Sequence, residues 1–94
     1  MDTQEAITSP GDLIRKLLAE RNWTQEDLAV VTGQSRQTIN YIVSGRSGLT
    51  AEMANSLAAA FGNQFSDWWQ LEGEYRQSLL QASTSEIEKR AELL

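Results

Sequence analysis

Ninety-four residues with 40% hydrophobic content suffice for one small domain with a modest core, and one proline, six glycines and no alternating β-branched run favour an all-helical bundle over a sandwich or barrel. The chain contains neither cysteine nor histidine, which excludes disulfides, thiolate nucleophiles, Ser/His/Asp triads and the common Cys/His metal cages, so no enzyme chemistry and no cofactor or metal is expected. A net charge of −5 excludes a protein that coats nucleic acid through an overall positive field, and without a signal-type N-terminus or a long apolar run the chain is expected in the cytoplasm and off the membrane.

Residues 1–9 are mostly polar and read as a flexible N-terminal arm. A first helix is predicted from Pro10 or Gly11, because proline suits the first helical position, Asp12 suits the positive end of the dipole, and Leu13, Ile14, Leu17 and Leu18 form an apolar stripe. Arg15, Lys16 and Arg21 on the same helix read as a solvated face. Asn22 and Trp23 make a short connection, with Trp23 expected against the core.

Thr24 and Asp27 then form a capping-box pattern, and Leu28, Ala29 and Val31 are expected to face inward on a second helix. Gly33 supplies a turn, Ser35 caps a third helix, and Ile39, Ile42 and Val43 recur at helical spacing until Gly45 ends it. Two short helices joined by a glycine turn, with the small Ala29 allowing a close crossing that Ile39 pins, are the pattern of a helix-turn-helix.

The loop SGRSGLT follows, with Arg46, Ser47 and free amide groups suited to gripping a phosphate. Thr50 caps a fourth helix whose Ala54, Leu57, Ala58 and Phe61 face inward until Gly62 stops it. A fifth helix is predicted after Asn63 or Gln64, with Phe65, Trp68, Leu71 and Tyr75 on one side and Trp69 pushed toward solvent. Within residues 77–94, Ser83 and Glu86 repeat the capping-box pattern before Ile87, Ala91 and Leu94, so this stretch reads as a separate helical tail or the start of a linker, outside a domain of residues 10–76.

In a helix-turn-helix the second helix enters the major groove with its N-terminal residues toward base edges. Arg36, Gln37, Thr38 and Tyr41 are therefore the expected base readers: arginine can bridge guanine O6 and N7, glutamine adenine N6 and N7, and the threonine methyl can meet that of thymine. Gln25, Ser35, Asn40, Arg46 and Ser47 are expected as backbone or supporting contacts. Between Gly33 and Ala51 the only charged side chains are Arg36 and Arg46, so the acidic chain has a locally basic window here. One such window offers few phosphate contacts, which points to a homodimer reading two half-sites roughly 34 Å apart, with Trp68, Trp69 and Tyr75 as candidate dimer or partner contacts.

The segments PGDLIRKLL, WTQEDLA and SRQTINYIVSGRSGLTAEMA, with Trp68, Leu71 and Tyr75, resemble the HigA-type antitoxins of the Xre helix-turn-helix class, over about Pro10 to Tyr75. The resemblance implies a five-helix, lambda-repressor-like domain with a C-terminal helical extension, a homodimer bound to double-stranded operator DNA of its own operon, and neutralisation of a basic, RelE/HigB-like mRNA-cleaving toxin as part of a type II toxin–antitoxin module. It also implies base reading by Arg36, Gln37 and Thr38 with support from Gln25 and Arg46. The chain departs from the family pattern at Thr32, Gln34 and Asp67, and at Ser9 in place of the usual histidine. Similar domains are also fused to a metallopeptidase-like half, and a protein-interaction module with vestigial DNA binding is a further alternative.

Overall fold

The computed structural model describes residues 6–94, apart from the side chains of Ala82 and Ser83. Five helices follow one another: α1 (Pro10–Arg21), α2 (Gln25–Thr32), α3 (Arg36–Ser44), α4 (Ala51–Phe61) and α5 (Phe65–Ala91). Among the described residues no helix is long and apolar enough to cross a membrane. Most of the expected flexible arm, residues 1–5, lies outside the described residues; Ser9 caps α1, and Thr8 donates through its amide and its hydroxyl to Asp12, each at 3.0 Å.

Helix boundaries follow from local side-chain chemistry. Ser9, Thr24, Ser35 and Thr50 each accept the backbone N–H of the third residue on, satisfying donors that a helix start otherwise leaves unpaired. Asp27 completes the box by accepting the Thr24 N–H at 2.8 Å. Two departures from the family pattern turn out to be caps as well: Ser9 Oγ accepts the Asp12 N–H at 3.2 Å, and Asp67 accepts the Gln64 N–H at 2.9 Å at the start of α5. A third, Thr32, satisfies its hydroxyl by donating to the Leu28 carbonyl at 2.8 Å. α1 ends on Asn22 in the left-handed conformation, and α2, α3 and α4 end on Gly33, Gly45 and Gly62 in the same conformation.

The core gathers one face of each helix: Ile14 and Leu18, Leu28 and Ala29, Ile39, Ile42 and Val43, Met53, Ala54, Leu57, Ala58 and Phe61, and Trp68, with Leu49 from the loop. Trp23, Phe61 and Trp68 stack in a row with ring centroids 5.8 Å apart at each step. Three expectations need correction. Val31 is 51% exposed because the short α2 turns only Leu28 and Ala29 inward. Phe65, at the first turn of α5, lies outside the core and stacks on Trp69 at 5.6 Å. The capping pattern at Ser83 starts no new helix: α5 continues unbroken to Ala91, since residues 77–94 contain no proline or glycine to interrupt it.

The solvated face expected on α1 also proves partly wrong. Lys16 pairs with Glu20 on the surface at 3.6 Å, but Arg15 and Arg21 reach across the fold. Arg15 donates to the Val43 carbonyl at 3.0 Å, and Arg21 donates to the Phe61 carbonyl at 2.7 Å while its guanidinium lies 5.1 Å from the Phe61 ring centroid. Both carbonyls sit in the last turn of a helix, where acceptors have no partner within the helix and the dipole is negative.

Asp12 joins the cap to this network. Burial alone would raise its carboxyl, but hydrogen bonds from the Thr8 amide and hydroxyl and from Ser9, together with Arg15, hold it below the ordinary value of 3.8. A depressed carboxylate stabilises the fold above its unfolded pKa and loses that contribution as pH falls through the folded one. Asp12→Asn is therefore expected to lower the melting temperature at neutral pH and to match the parent at pH values well below 3.8, a convergence that thermal melts across the acid limb check directly.

Candidate nucleic-acid interface

Placement of the reading surface begins at the α2–α3 turn. Gly33 adopts φ 73°, where a side chain would be strained, and this sharp reversal leads straight into the Ser35 cap of α3. Ile39, Ile42 and Val43 then anchor α3 from one side. At 3.6 residues per turn the opposite side carries Gln37, Asn40 and Tyr41, with Arg36 on its flank; all but the half-buried Tyr41 are exposed.

These side chains form a connected surface. Gln37 donates to the Tyr41 hydroxyl at 2.7 Å, and Arg46 lies over the Tyr41 ring at 5.6 Å. Asn40 donates to Gln25 Oε1 at 3.4 Å, joining the start of α2 to the middle of α3. Of the expected site residues, the structure thus brings together Gln37, Tyr41 and Arg46, and Asn40 with Gln25. Among the described residues no side-chain hydrogen bond or ion pair engages the Arg36 guanidinium, at the first turn of α3. Ser35 and Thr38 are turned on each other, with 2.9 Å between their hydroxyls and the Thr38 N–H donating to Ser35 Oγ at 3.0 Å; Thr38 is half-buried toward Ile42 and Met53.

Behind this surface stand residues that the sequence pattern did not single out. Gly11 lets α1 approach α3 so closely that a Cβ there would collide with the Val43 carbonyl, the same carbonyl that Arg15 holds. On α5, Glu72 is buried and accepts from Arg76 Nε at 2.7 Å, while Arg76 Nη2 donates to the Ser47 carbonyl at 3.1 Å. The spacing of Glu72 and Arg76 marks an ion pair within a helix. Nothing local, however, identifies a loop carbonyl 29 residues away as its target.

The aromatic positions separate into different roles. Trp68 is fully buried and donates through Nε1 to Asn63 Oδ1 at 2.7 Å, so it is a core residue and offers no surface to a partner. Tyr75 is half-buried, with its hydroxyl 3.2 Å from where a Cβ on Gly45 would stand. Trp69 is exposed together with Phe65, and Leu79, Leu80 and Ile87 continue the exposed apolar positions along α5.

Comparison with known proteins agrees with this geometry. A helix-turn-helix family model, HTH_3, matches residues 14–68, from the core of α1 to Trp68. No curated protein sequence matches the chain significantly. Among solved structures, the fold is similar to Pseudomonas aeruginosa antitoxin HigA with the higBA promoter, at 27% identity and a TM-score of 0.81 over 90% of this chain and 94% of that one. It is also similar to Pseudomonas aeruginosa PA4674 in complex with its 28-bp operator DNA, at 28% identity and TM-score 0.78 over 86% and 90% of the two chains. An addiction module antidote protein of a HigA family from Coxiella burnetii is similar at 25% identity and TM-score 0.78 over 90% and 95%. With the family model covering more than half of its length and HigA-type antitoxins among its structural neighbours, the chain belongs to the helix-turn-helix family.

Proposed function

We propose that the chain is a sequence-specific DNA-binding antitoxin of a type II toxin–antitoxin module, which represses its own operon as a homodimer in the cytoplasm and neutralises a basic RelE/HigB-like mRNA-cleaving toxin. The observation that carries this reading is the exposed polar face of α3. In a chain of net charge −5 the charged side chains between Gly33 and Ala51 are both cations, Arg36 at the start of this face and Arg46 over Tyr41. The DNA-bound state of the similar Pseudomonas proteins supports it. Residues 10–76 serve as the DNA-binding unit, and the exposed apolar positions of α5 beyond them, with Trp69, serve as the partner surface.

Within this reading Arg36, Gln37 and Tyr41 face base edges, while Gln25, Arg46 and Ser47 grip the backbone. The Ser35–Thr38 hydroxyl pair fixes the start of α3, and Thr38 presents its methyl from the flank. Arg36→Ala is expected to cost about 1–3 kcal/mol on the preferred site and to relax base choice there, whereas Arg46→Ala weakens every sequence alike and flattens the salt dependence. Binding isotherms on the chain's own upstream region and on base-substituted copies, at several salt concentrations, test this; the reverse assignment of the two variants overturns it. The exposed Phe65–Trp69 stack favours one second reading, a protein-interaction module, and the absence of any sequence-selective, salt-sensitive complex in the same experiment selects it.

A further inference from the structure

The loop between α3 and α4 is held from two sides. From the α3 side, the Arg46 and Ser47 N–H groups both donate to the Tyr41 carbonyl, at 2.9 and 3.3 Å. From the α5 side, Arg76 Nη2 donates to the Ser47 carbonyl at 3.1 Å, and Glu72 fixes the same guanidinium through Nε at 2.7 Å. The contact is close: a Cβ on Gly48 would stand 3.3 Å from Glu72 Oε2 and 3.8 Å from Arg76 Nε and Nη2. Tyr75, beside Arg76, seals the other end of the loop at Gly45, with the guanidinium 5.1 Å from its ring centroid.

A buried carboxylate on α5 is costly unless it is paired, and here its pairing serves to aim a second group. Because a trans peptide is planar, a Ser47 carbonyl turned toward Arg76 forces the Gly48 N–H to point the opposite way, out of the α5 contact. No hydrogen bond among the described residues uses that N–H. Next to Arg46 and Ser47, a donor fixed in direction suits a phosphate oxygen.

We propose that Arg76, braced by Glu72, is a positioning residue that sets the Ser47–Gly48 peptide from α5, so that the grip of this loop on the DNA backbone depends on how α5 is docked. The proposal rests on the DNA-binding reading above. It assigns to α5 an effect on affinity that is separate from base choice, because Arg76 bonds Glu72 and the Ser47 carbonyl and none of the side chains on the exposed face of α3.

The test compares the parent protein with Arg76→Met, which keeps an extended stem without the guanidinium, and with Arg76→Lys and Glu72→Gln. Two readouts are taken: hydrogen exchange of the loop amides in the free protein, and binding to the upstream DNA and base-substituted copies over a salt series. Arg76→Met is expected to speed exchange of the Ser47 amide and to weaken binding about tenfold on all sites alike, with the order of site preference unchanged. Arg76→Lys, which can still reach a carbonyl, recovers part of that loss, and Glu72→Gln gives a smaller loss of the same kind. A purely structural role predicts unchanged loop exchange and, for folded variants, unchanged affinity; either result overturns the proposal, as does a variant that changes site preference. If the parent itself binds no DNA selectively, the DNA-binding reading fails, while the exchange comparison still reports whether Arg76 holds the loop.

Discussion

Trp68→Ala is expected to destabilise the fold by about 3–5 kcal/mol, the range for truncating a large buried aromatic side chain, which for a domain of this size lowers the melting temperature on the order of 15–30 °C. Three losses coincide at this position. The indole is fully enclosed, so its removal leaves a cavity between α4 and α5. Its stack on Phe61, at 5.8 Å, also supports Trp23 on the far side, so the row of three rings loses one end. The bond from Nε1 to Asn63 Oδ1 at 2.7 Å, which ties α5 to the turn before it, disappears as well. Trp68→Phe keeps most of the stack and is expected to lose about 1–2 kcal/mol. Melts followed by circular dichroism give both values; a loss below about 1 kcal/mol for the alanine variant would contradict the placement of Trp68 in the core.

Gly11→Ala and Gly73→Ala should move stability in opposite directions, although both replace a helical glycine. Alanine is favoured over glycine inside a helix by up to about 1 kcal/mol, and at Gly73 nothing lies within 4 Å of an added Cβ, so that variant gains about 0.5–1 kcal/mol. At Gly11 the added methyl runs into the backbone of Val43, which cannot move aside as a flexible side chain can. α1 must shift away from α3, loosening the Arg15 bond to the Val43 carbonyl and the packing of Ile14, and the expected result is a net loss of about 1–3 kcal/mol. Denaturant midpoints of the two variants decide the point: an upward shift in both means that α1 and α3 do not approach as described.

Much of the fold is legible along the sequence because its punctuation is local. The caps at Thr24, Ser35 and Thr50 act three residues away, and the stops at Gly33, Gly45 and Gly62 act in place. Helix order, the inward faces of α3 and α4, and the placing of Gln37, Asn40 and Tyr41 on the outer side of α3 all follow from spacing. Three kinds of feature do not. Long side chains bonding distant carbonyls, as Arg15, Arg21 and Arg76 do across 28, 40 and 29 residues, look like ordinary solvated charges in the sequence. Short or terminal segments offer too few turns to fix a face, which is why Val31 and Phe65 read as inward-facing in the sequence and are exposed in the fold. A capping pattern such as Ser83 with Glu86 is permissive, and a helix already propagating gains more by continuing than by restarting.

The arginines of α1 also bear on the order of assembly. This helix is made first, yet the carbonyls that Arg15 and Arg21 hold belong to Val43 and Phe61, and the rings that complete the core end at Trp68. As the chain leaves the ribosome, α1 therefore meets its acceptor on α3 only once Val43 has emerged, and its acceptor on α4 only once Phe61 has. Its apolar stripe stays uncovered in the nascent chain until the last turns of α3, and then of α4, arrive to receive it.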